Sequence, residues 1–259
     1  MRKFVIGDIH GAYRGLVQVL ERVKFDYEND SLISLGDISD GWSETAECIE
    51  LLMKVKNFTL IKGNHDEWTT RFLKLTLKHG PASFNYVWYN QGGKETYNSY
   101  YNKLELVDKH LDFLNTAKLY HIDDENRLFL HAGLDPDVDL DKQRWVEVGQ
   151  LNDENAIFYW DRRLWQHLVA LYNSNETVVW KRYNEIYIGH TPTNRDIEFE
   201  DGMPVNIGNV WNMDTGAGYD GKISIMNLDT KEITQSDSIY MLYPDEMGRN
   251  DEYLAKNNL

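Results

Sequence analysis

Apolar and polar positions along the first sixty residues follow two rhythms. Phe4–Ile6, Leu32–Leu35 and Thr59–Ile61 are short continuous apolar runs, which predict strands buried on both faces. Between them, Leu16, Leu20 and Val23 form one stripe at helical spacing. Ala46, Ile49, Leu52 and Met53 form another, with Ser43 placed to cap its helix. Strand, turn and helix repeated in this order predict α/β layering. Beyond Asn64 the spacing predicts helices near Glu67–Lys78 and Leu104–Asn115. His79–Lys103 between them has little periodicity and reads as a surface excursion. Its aromatics (Phe84, Tyr86, Trp88, Tyr89, Tyr97, Tyr100, Tyr101) either form a lid or binding wall or simply pack locally. A second excursion, Asp135–Asn184, carries Trp145, Trp160, Trp165 and Trp180 and a helix around Ala156–Leu171. The last third reads as an antiparallel meander of Glu185–Ile188, Val210–Asp214, Lys222–Asn227 and Glu232–Gln235, the final two joined by a turn at Leu228–Lys231. The polar stretch Pro244–Leu259 reads as a loosely docked or disordered tail.

Composition narrows the classes of function. With 259 residues, 42% of them hydrophobic, the chain can bury a sizeable core as one large domain or two small ones. Its 27 basic and 42 acidic residues leave a net charge of −15, which repels nucleic-acid backbones and anionic lipid, so general nucleic-acid binding and a membrane role are excluded. A small phosphorylated ligand remains compatible, provided that local cations hold it. The single cysteine, Cys48, cannot form an internal disulfide and reads as a packed thiol. The beginning of the chain lacks the apolar stretch of a signal peptide, and no apolar run approaches the roughly 20 residues of a membrane helix. A cytoplasmic protein is expected.

Candidate chemistry is concentrated in five short motifs, each expected just beyond a strand: Gly7-Asp8-Ile9-His10-Gly11, Gly36-Asp37-Ile38-Ser39-Asp40, Gly63-Asn64-His65-Asp66, His131-Ala132-Gly133 and Gly189-His190-Thr191-Pro192. A single Asp-x-His would mean little, but loops beyond the carboxyl ends of strands in an open α/β sheet converge on one crevice. Neighbouring glycines let the backbone approach closely there. Asp8 and His10, one residue apart, leave an extended segment on the same side. Mixed carboxylate, imidazole and amide donors suit Mn first, with Fe or Zn as alternatives.

These motifs resemble the calcineurin-like metallophosphoesterases, most of all their serine/threonine protein phosphatase branch in bacterial and phage form, to which symmetrical dinucleoside tetraphosphate hydrolases are related. The resemblance runs from about Phe4 to Ile225 and is weakest in the two excursions. It implies an α/β (α+β) fold: a β-sandwich of two mixed sheets flanked by helices, with a dinuclear metal site at the strand carboxyl ends. It also implies a metallophosphoesterase domain over residues 1–243, interrupted by the excursions at about 79–103 and 135–184, with 244–259 as the tail. Matched motif by motif, Asp8, His10 and Asp37 would hold one divalent ion, and Asp37, Asn64, His131 and His190 the other, with Asp37 bridging. His65 matches the general acid and Asp40 the carboxylate that orients it and holds it charged near neutrality. Arg162, with Arg163 as a one-residue alternative, matches a phosphate-holding arginine, and Asn64 would share in phosphate contact. Pro192 stands where wider-superfamily members carry a second histidine, and Asp214-Thr215-Gly216-Ala217-Gly218 resembles the family's final strand turn.

One departure bears on the substrate. Where the family pattern reads Gly-Asp-x-x-Asp-Arg-Gly, this chain has Gly41 and Trp42 after Asp40, so a guanidinium that would fork onto phosphate is missing. Trp42 either stacks on a substrate ring or packs against the following helix. The implied activity is hydrolysis of phosphomonoesters, phosphoserine or phosphothreonine protein included, by metal-activated hydroxide. The alternatives are hydrolysis of nucleotides or dinucleoside polyphosphates, and an inactive metal-binding scaffold.

Overall fold

The structure is a computed structural model and describes residues 1–80, 85–144, 153–195, 199 and 202–250. Phe84, Trp145 and the tail residues 251–259 therefore lie outside the described residues. In chain order the elements begin β1 (Lys3–Ile6), α1 (Tyr13–Arg22), β2 (Ser31–Ser34), α2 (Thr45–Leu52), β3 (Asn57–Leu60) and α3 (Asn64–His79). Next come α4 (Tyr86–Trp88), α5 (Lys94–Tyr100), α6 (Val107–Leu114), β4 (Tyr120–Ile122), β5 (Arg127–Leu130), α7 (Ile157–Trp160) and α8 (Arg163–Asn173). The chain ends with β6 (Glu185–Ile188), β7 (Val205–Ile207), β8 (Val210–Asn212), β9 (Ser224–Asn227), β10 (Ile233–Gln235) and α9 (Ile239–Leu242).

Among the described residues these form two mixed five-stranded sheets, ordered β10-β9-β1-β2-β3 and β4-β5-β6-β8-β7. Side-chain alternation along each strand builds the layers. Phe4 and Ile6 of β1 and Leu32 of β2 face α1 and α2, whereas Val5 and Ile33 turn inward to meet Phe129, Tyr187 and Met213 from the second sheet. On that sheet Leu128, Leu130, Ile186 and Ile188 face outward, under α7 and α8. Helices, sheet, sheet and helices are thus stacked around three apolar layers. Among the described residues, no helix is long and apolar enough to cross a membrane.

Several sequence-based expectations need correction. The last third is not one antiparallel meander: β6 and β8 pair in parallel within the second sheet, where β7 and β8 form a hairpin, and β9 and β10 form another in the first. The chain leaves β6 through the His190 loop and returns beside it, a connection that favours parallel pairing. β3 is only partly buried because it forms the sheet edge. Ser43 does not cap α2; its backbone N–H and hydroxyl both donate to Glu246, and Met53 lies past the helix end, 37% exposed. The first excursion is helical rather than a loop, and it packs its own core of Trp88 and Tyr100 against Leu73, Val107 and Leu111. The helix expected over Ala156–Leu171 is broken at Asp161 and Arg162 into α7 and α8. Within the tail, Glu246 is docked on Ser43, and the Arg249 N–H donates to the Gly218 carbonyl.

Candidate active site

Strands β1, β2 and β3 run parallel, as do β5 and β6, so their carboxyl ends lie together. Each of the five motifs follows one of these ends. The loops turn sharply: His10, Asp37, Asp40 and His190 adopt left-handed backbone angles, with φ of 53°, 50°, 65° and 71°. Asp and His accept this region more readily than most residues. Two glycines are required by close approach: a Cβ on Gly63 would lie 2.1 Å from Asp37 Oδ1, and one on Gly189 2.3 Å from Asp8 Oδ1.

Asp37 occupies the centre. Its Oδ2 lies 3.7 Å from His10 Nε2 and 3.3 Å from His131 Nε2, and its Oδ1 accepts the His65 N–H at 2.9 Å. Asn64 Oδ1 is 3.1 Å from His131 Nε2. Asp8 Oδ2 lies 3.8 Å from His10 Nε2, and the Asp8 carboxylate accepts the His190 N–H. All six expected ligand residues are thus brought together, each at most 5% exposed. Two compact groups share Asp37, namely His10, Asp37 and His65, and Asp37, His131 and His190, each with donor atoms within 4.8 Å of one another. The first differs from expectation, because His65 stands in it where Asp8 was anticipated.

The donor chemistry fits divalent cations. His10 Nδ1 donates to the Asp40 carbonyl at 2.7 Å and His131 Nδ1 to the Leu35 carbonyl at 2.8 Å, so in both rings Nε2 is the nitrogen turned toward Asp37 and left to meet a cation. Burial, then the Asp214 charge, pushes the Asp8 carboxyl well up. Burial also raises Asp37, but His131 and His65 outweigh it and hold that carboxyl well below its usual range. Burial lowers His131, yet Asp37 overrides it and lifts the imidazole to about 9. Buried carboxylates so close together are costly alone and are stabilised by bound cations.

His65 Nδ1 contacts Asp40 Oδ2 at 3.0 Å. The pairing is as expected, but its electrostatics are not. Burial, reinforced by the Arg249 guanidinium, drives His65 well below its ordinary value, and burial drives Asp40 well above. The dry surroundings therefore outweigh the carboxylate that was expected to keep His65 charged.

Residues that hold this pair were not foreseen. Trp88 Nε1 donates to both Asp40 oxygens at 3.1 and 2.9 Å, and the Thr96 and Thr69 hydroxyls donate to Oδ1 at 2.8 and 3.1 Å. Asp66 accepts the Ile38, Ser39 and Gly63 N–H groups, pinning the β2 loop to the start of α3. Asp66, in the third position of α3, carried a legible signal, since an acidic side chain there caps the helix start. Trp88 had none.

At the mouth, Arg162 Nη1 donates to the His190 carbonyl at 3.0 Å and Thr191 Oγ1 at 2.7 Å, and the side chain lines the central cavity. Arg163 instead pairs with Asp161 at 2.5 Å and lines a separate cavity. Trp42 is fully buried: its Nε1 donates to the Ala217 carbonyl at 2.7 Å and its ring stacks on Tyr243, so it packs and cannot stack on a substrate. Gly41 has φ of 142°, and its Cβ would fall 3.0 Å from the His10 carbonyl oxygen, so an arginine there would be strained. Arg162 is not the only cation at the mouth, because Arg249 also lines the central cavity.

Comparison with known proteins agrees with this geometry. The calcineurin-like phosphoesterase family pattern matches residues 1–228. The chain is 25% identical to serine/threonine-protein phosphatase 1 of Salmonella typhimurium, over 87% of this chain and 91% of that protein. It is 24% identical to bis(5'-nucleosyl)-tetraphosphatase PrpE (asymmetrical) of Bacillus cereus, over 95% and 98%. Among solved structures, a putative diadenosine tetraphosphatase aligns with a TM-score of 0.53 at 16% identity, covering 92% of this chain and 93% of that one. A yeast (Saccharomyces cerevisiae) protein serine/threonine phosphatase aligns at 0.55 and 15%, covering 96% and 83%. At such identities the two structures bear on the fold alone. With the family pattern spanning most of its length and two mixed sheets converging on a shared carboxylate, the chain belongs to the calcineurin-like phosphoesterase family of hydrolases.

Proposed function

We propose that the protein hydrolyses phosphomonoesters, with Asp8, His10 and Asp37 holding one divalent cation and Asp37, Asn64, His131 and His190 the other. When bound, two such cations neutralise phosphoryl oxygens and lower the pKa of water. The chain's own part is to hold and move one proton. His65 Nδ1 and Asp40 Oδ2 share one proton across their contact, so as His65 Nε2–H protonates the departing ester oxygen the shared proton settles on Nδ1, while Trp88, Thr96 and Thr69 fix the Asp40 carboxyl that aims the ring. Arg162, anchored on the His190 carbonyl, contributes a cation to the phosphate.

The observation that carries this reading is the His65–Asp40 pair at two compact donor groups that share Asp37, with His65 itself at the edge of the first. The central cavity, about 50 Å³, suits a phosphoryl group rather than a larger moiety. Similarity to a protein phosphatase supports a phosphoprotein substrate.

A second reading has its own support. A cavity of about 430 Å³, lined by Asp161, Arg163, His167 and Trp180, includes both sequence neighbours of Arg162 in its wall and is large enough for a nucleoside. Together with the similarity to tetraphosphatases, it favours nucleotide or dinucleoside polyphosphate hydrolysis. Steady-state kinetics on phosphopeptide, mononucleotide and dinucleoside tetraphosphate, each with Mn supplied, test the two. A kcat/KM higher for phosphopeptide supports the first reading. A preference for dinucleoside tetraphosphate that disappears in Trp180→Ala transfers support to the second. No turnover of any phosphoester refutes both.

A further inference from the structure

We propose that Arg249, delivered by the segment after α9, is a substrate-phosphate ligand that occupies the space left by the absent side chain at position 41. This rests on the phosphoesterase reading above.

Position is the first ground. Arg249 shares the central cavity with Asn64, His65 and Arg162, and its Nη1 lies 3.5 Å from His10 Nε2. Its Cγ is 3.7 Å from where a Cβ on Gly41 would stand, and its Cδ is 3.1 Å from where one on Gly218 would stand. The side chain therefore runs through a channel that two missing side chains leave open. A guanidinium rooted at position 41 and one rooted at 249 would compete for that channel.

Unspent bonding capacity is the second ground. Arg249 Nε is buried and has no hydrogen-bond partner, and among the described residues the guanidinium makes no ion pair. Arg162 faces the same cavity, close enough for the two positive charges to oppose each other. Asp37 and Asp214 line this cavity too, but among the described residues neither guanidinium is ion-paired with them, so the two cations keep forked donors that match a phosphate's several acceptor oxygens.

Anchoring is the third ground. The Arg249 N–H donates to the Gly218 carbonyl at 2.9 Å, the guanidinium lies 4.9 Å over the Tyr219 ring, and Glu246 is held by Ser43 at 2.7 Å. The arginine is thereby presented by a docked backbone.

The test uses the metal-loaded full-length enzyme with 4-nitrophenyl phosphate as substrate and inorganic phosphate as competitive inhibitor. Arg249→Met is expected to raise both KM and the phosphate inhibition constant about tenfold or more, the counterpart of one charge-assisted hydrogen bond, with metal content and melting temperature unchanged. Arg249→Lys, which keeps the charge but loses the fork, should fall between Met and the parent, and it decides the question if the methionine variant misfolds. An unchanged inhibition constant overturns the proposal. So does tighter phosphate binding with faster turnover, which would make Arg249 a plug. Calorimetric titration of phosphate into both proteins reads the arginine separately: if the parent enzyme is inert toward all esters, the phosphoesterase reading fails, while weaker phosphate binding by Arg249→Met still supports the anion site and equal binding overturns it.

Discussion

The loops beyond β1, β2 and β3 and the helical segment from α4 to α5 reach the same centre by different routes. Each loop leaves its strand and places a candidate ligand within four residues, so the sheet itself fixes where Asp8, Asp37 and Asn64 stand. The helical segment arrives from the side, and it touches the centre through Trp88 and Thr96 on Asp40 and through Gly92, whose carbonyl accepts the Gly41 N–H. One region supplies groups that would meet cation and substrate. The other aims them.

The most damaging way to test this division is Asp37→Asn, because Asp37 belongs to both compact groups and also accepts the His65 N–H. Near-total loss of turnover with loss of both ions is expected. Metal analysis of the purified variant checks it, and two ions retained at full occupancy would refute the shared role.

His65→Asn should come next, with a loss of about 10²–10⁴-fold, the range of a general acid. The loss should be smaller for 4-nitrophenyl phosphate, whose leaving group needs no proton, than for an alkyl or seryl phosphate. Metal content separates the two roles open to this ring: ions retained support proton donation, whereas ions lost make His65 a ligand, as its place in the first compact group would allow.

Trp88→Phe addresses the helical segment alone. It removes the indole donor to Asp40 while keeping an aromatic ring in the buried site. A drop in kcat of about tenfold is expected, as for loss of an outer-shell partner, with KM and metal content unchanged. The drop should be greater on alkyl than on nitrophenyl esters, because Trp88 acts through the proton donor. Equal losses on both would reduce it to a packing residue.

The division also explains what could be read in advance. The six candidate ligands and the His65–Asp40 pair were legible because each belongs to a short motif tied to a strand end. Trp88, Thr96 and Arg249 were not, since nothing near them in the chain signals their contact with a centre 48, 56 and 239 residues away in sequence. The α/β layering and most strands were legible from apolar runs alternating with helical stripes, whereas the two-sheet sandwich came only with the family resemblance. The partners of β6 and β8 were not, because side-chain period reveals a strand but not its neighbour.

The smallest effect lies at the opposite end of the strands, where the Asp30 carboxylate accepts bonds from the Arg2 side chain and N–H and from the Asp26 N–H. Burial raises this carboxyl, but the Arg2 hydrogen bonds and charge outweigh it, so it titrates below its ordinary value. A depressed carboxylate stabilises the fold above its unfolded pKa, and that contribution is lost as pH falls through the folded value. Asp30→Ala should therefore cost about 1 kcal/mol at pH 7 and progressively less below pH about 4, with kcat unchanged. Denaturant unfolding at pH 7 and pH 3 checks it, and an equal cost at both would refute the linkage.

Left-handed geometry at His10, Asp37, Asp40 and His190 has a consequence for evolution and engineering. Each such non-glycine residue costs on the order of 1–3 kcal/mol, and Asp37 adds the repulsion of neighbouring buried acids. The centre is thus a reservoir of conformational debt that the rest of the sandwich must cover. Glycine at Asp40 would release part of it, but it would also orphan the buried donors of Trp88, Thr96 and Thr69, a larger loss, so an Asp40→Gly protein should melt lower. The strain is thus locked in by the bonds around it, and a stabilised catalyst is better sought in the outer helices, away from these turns.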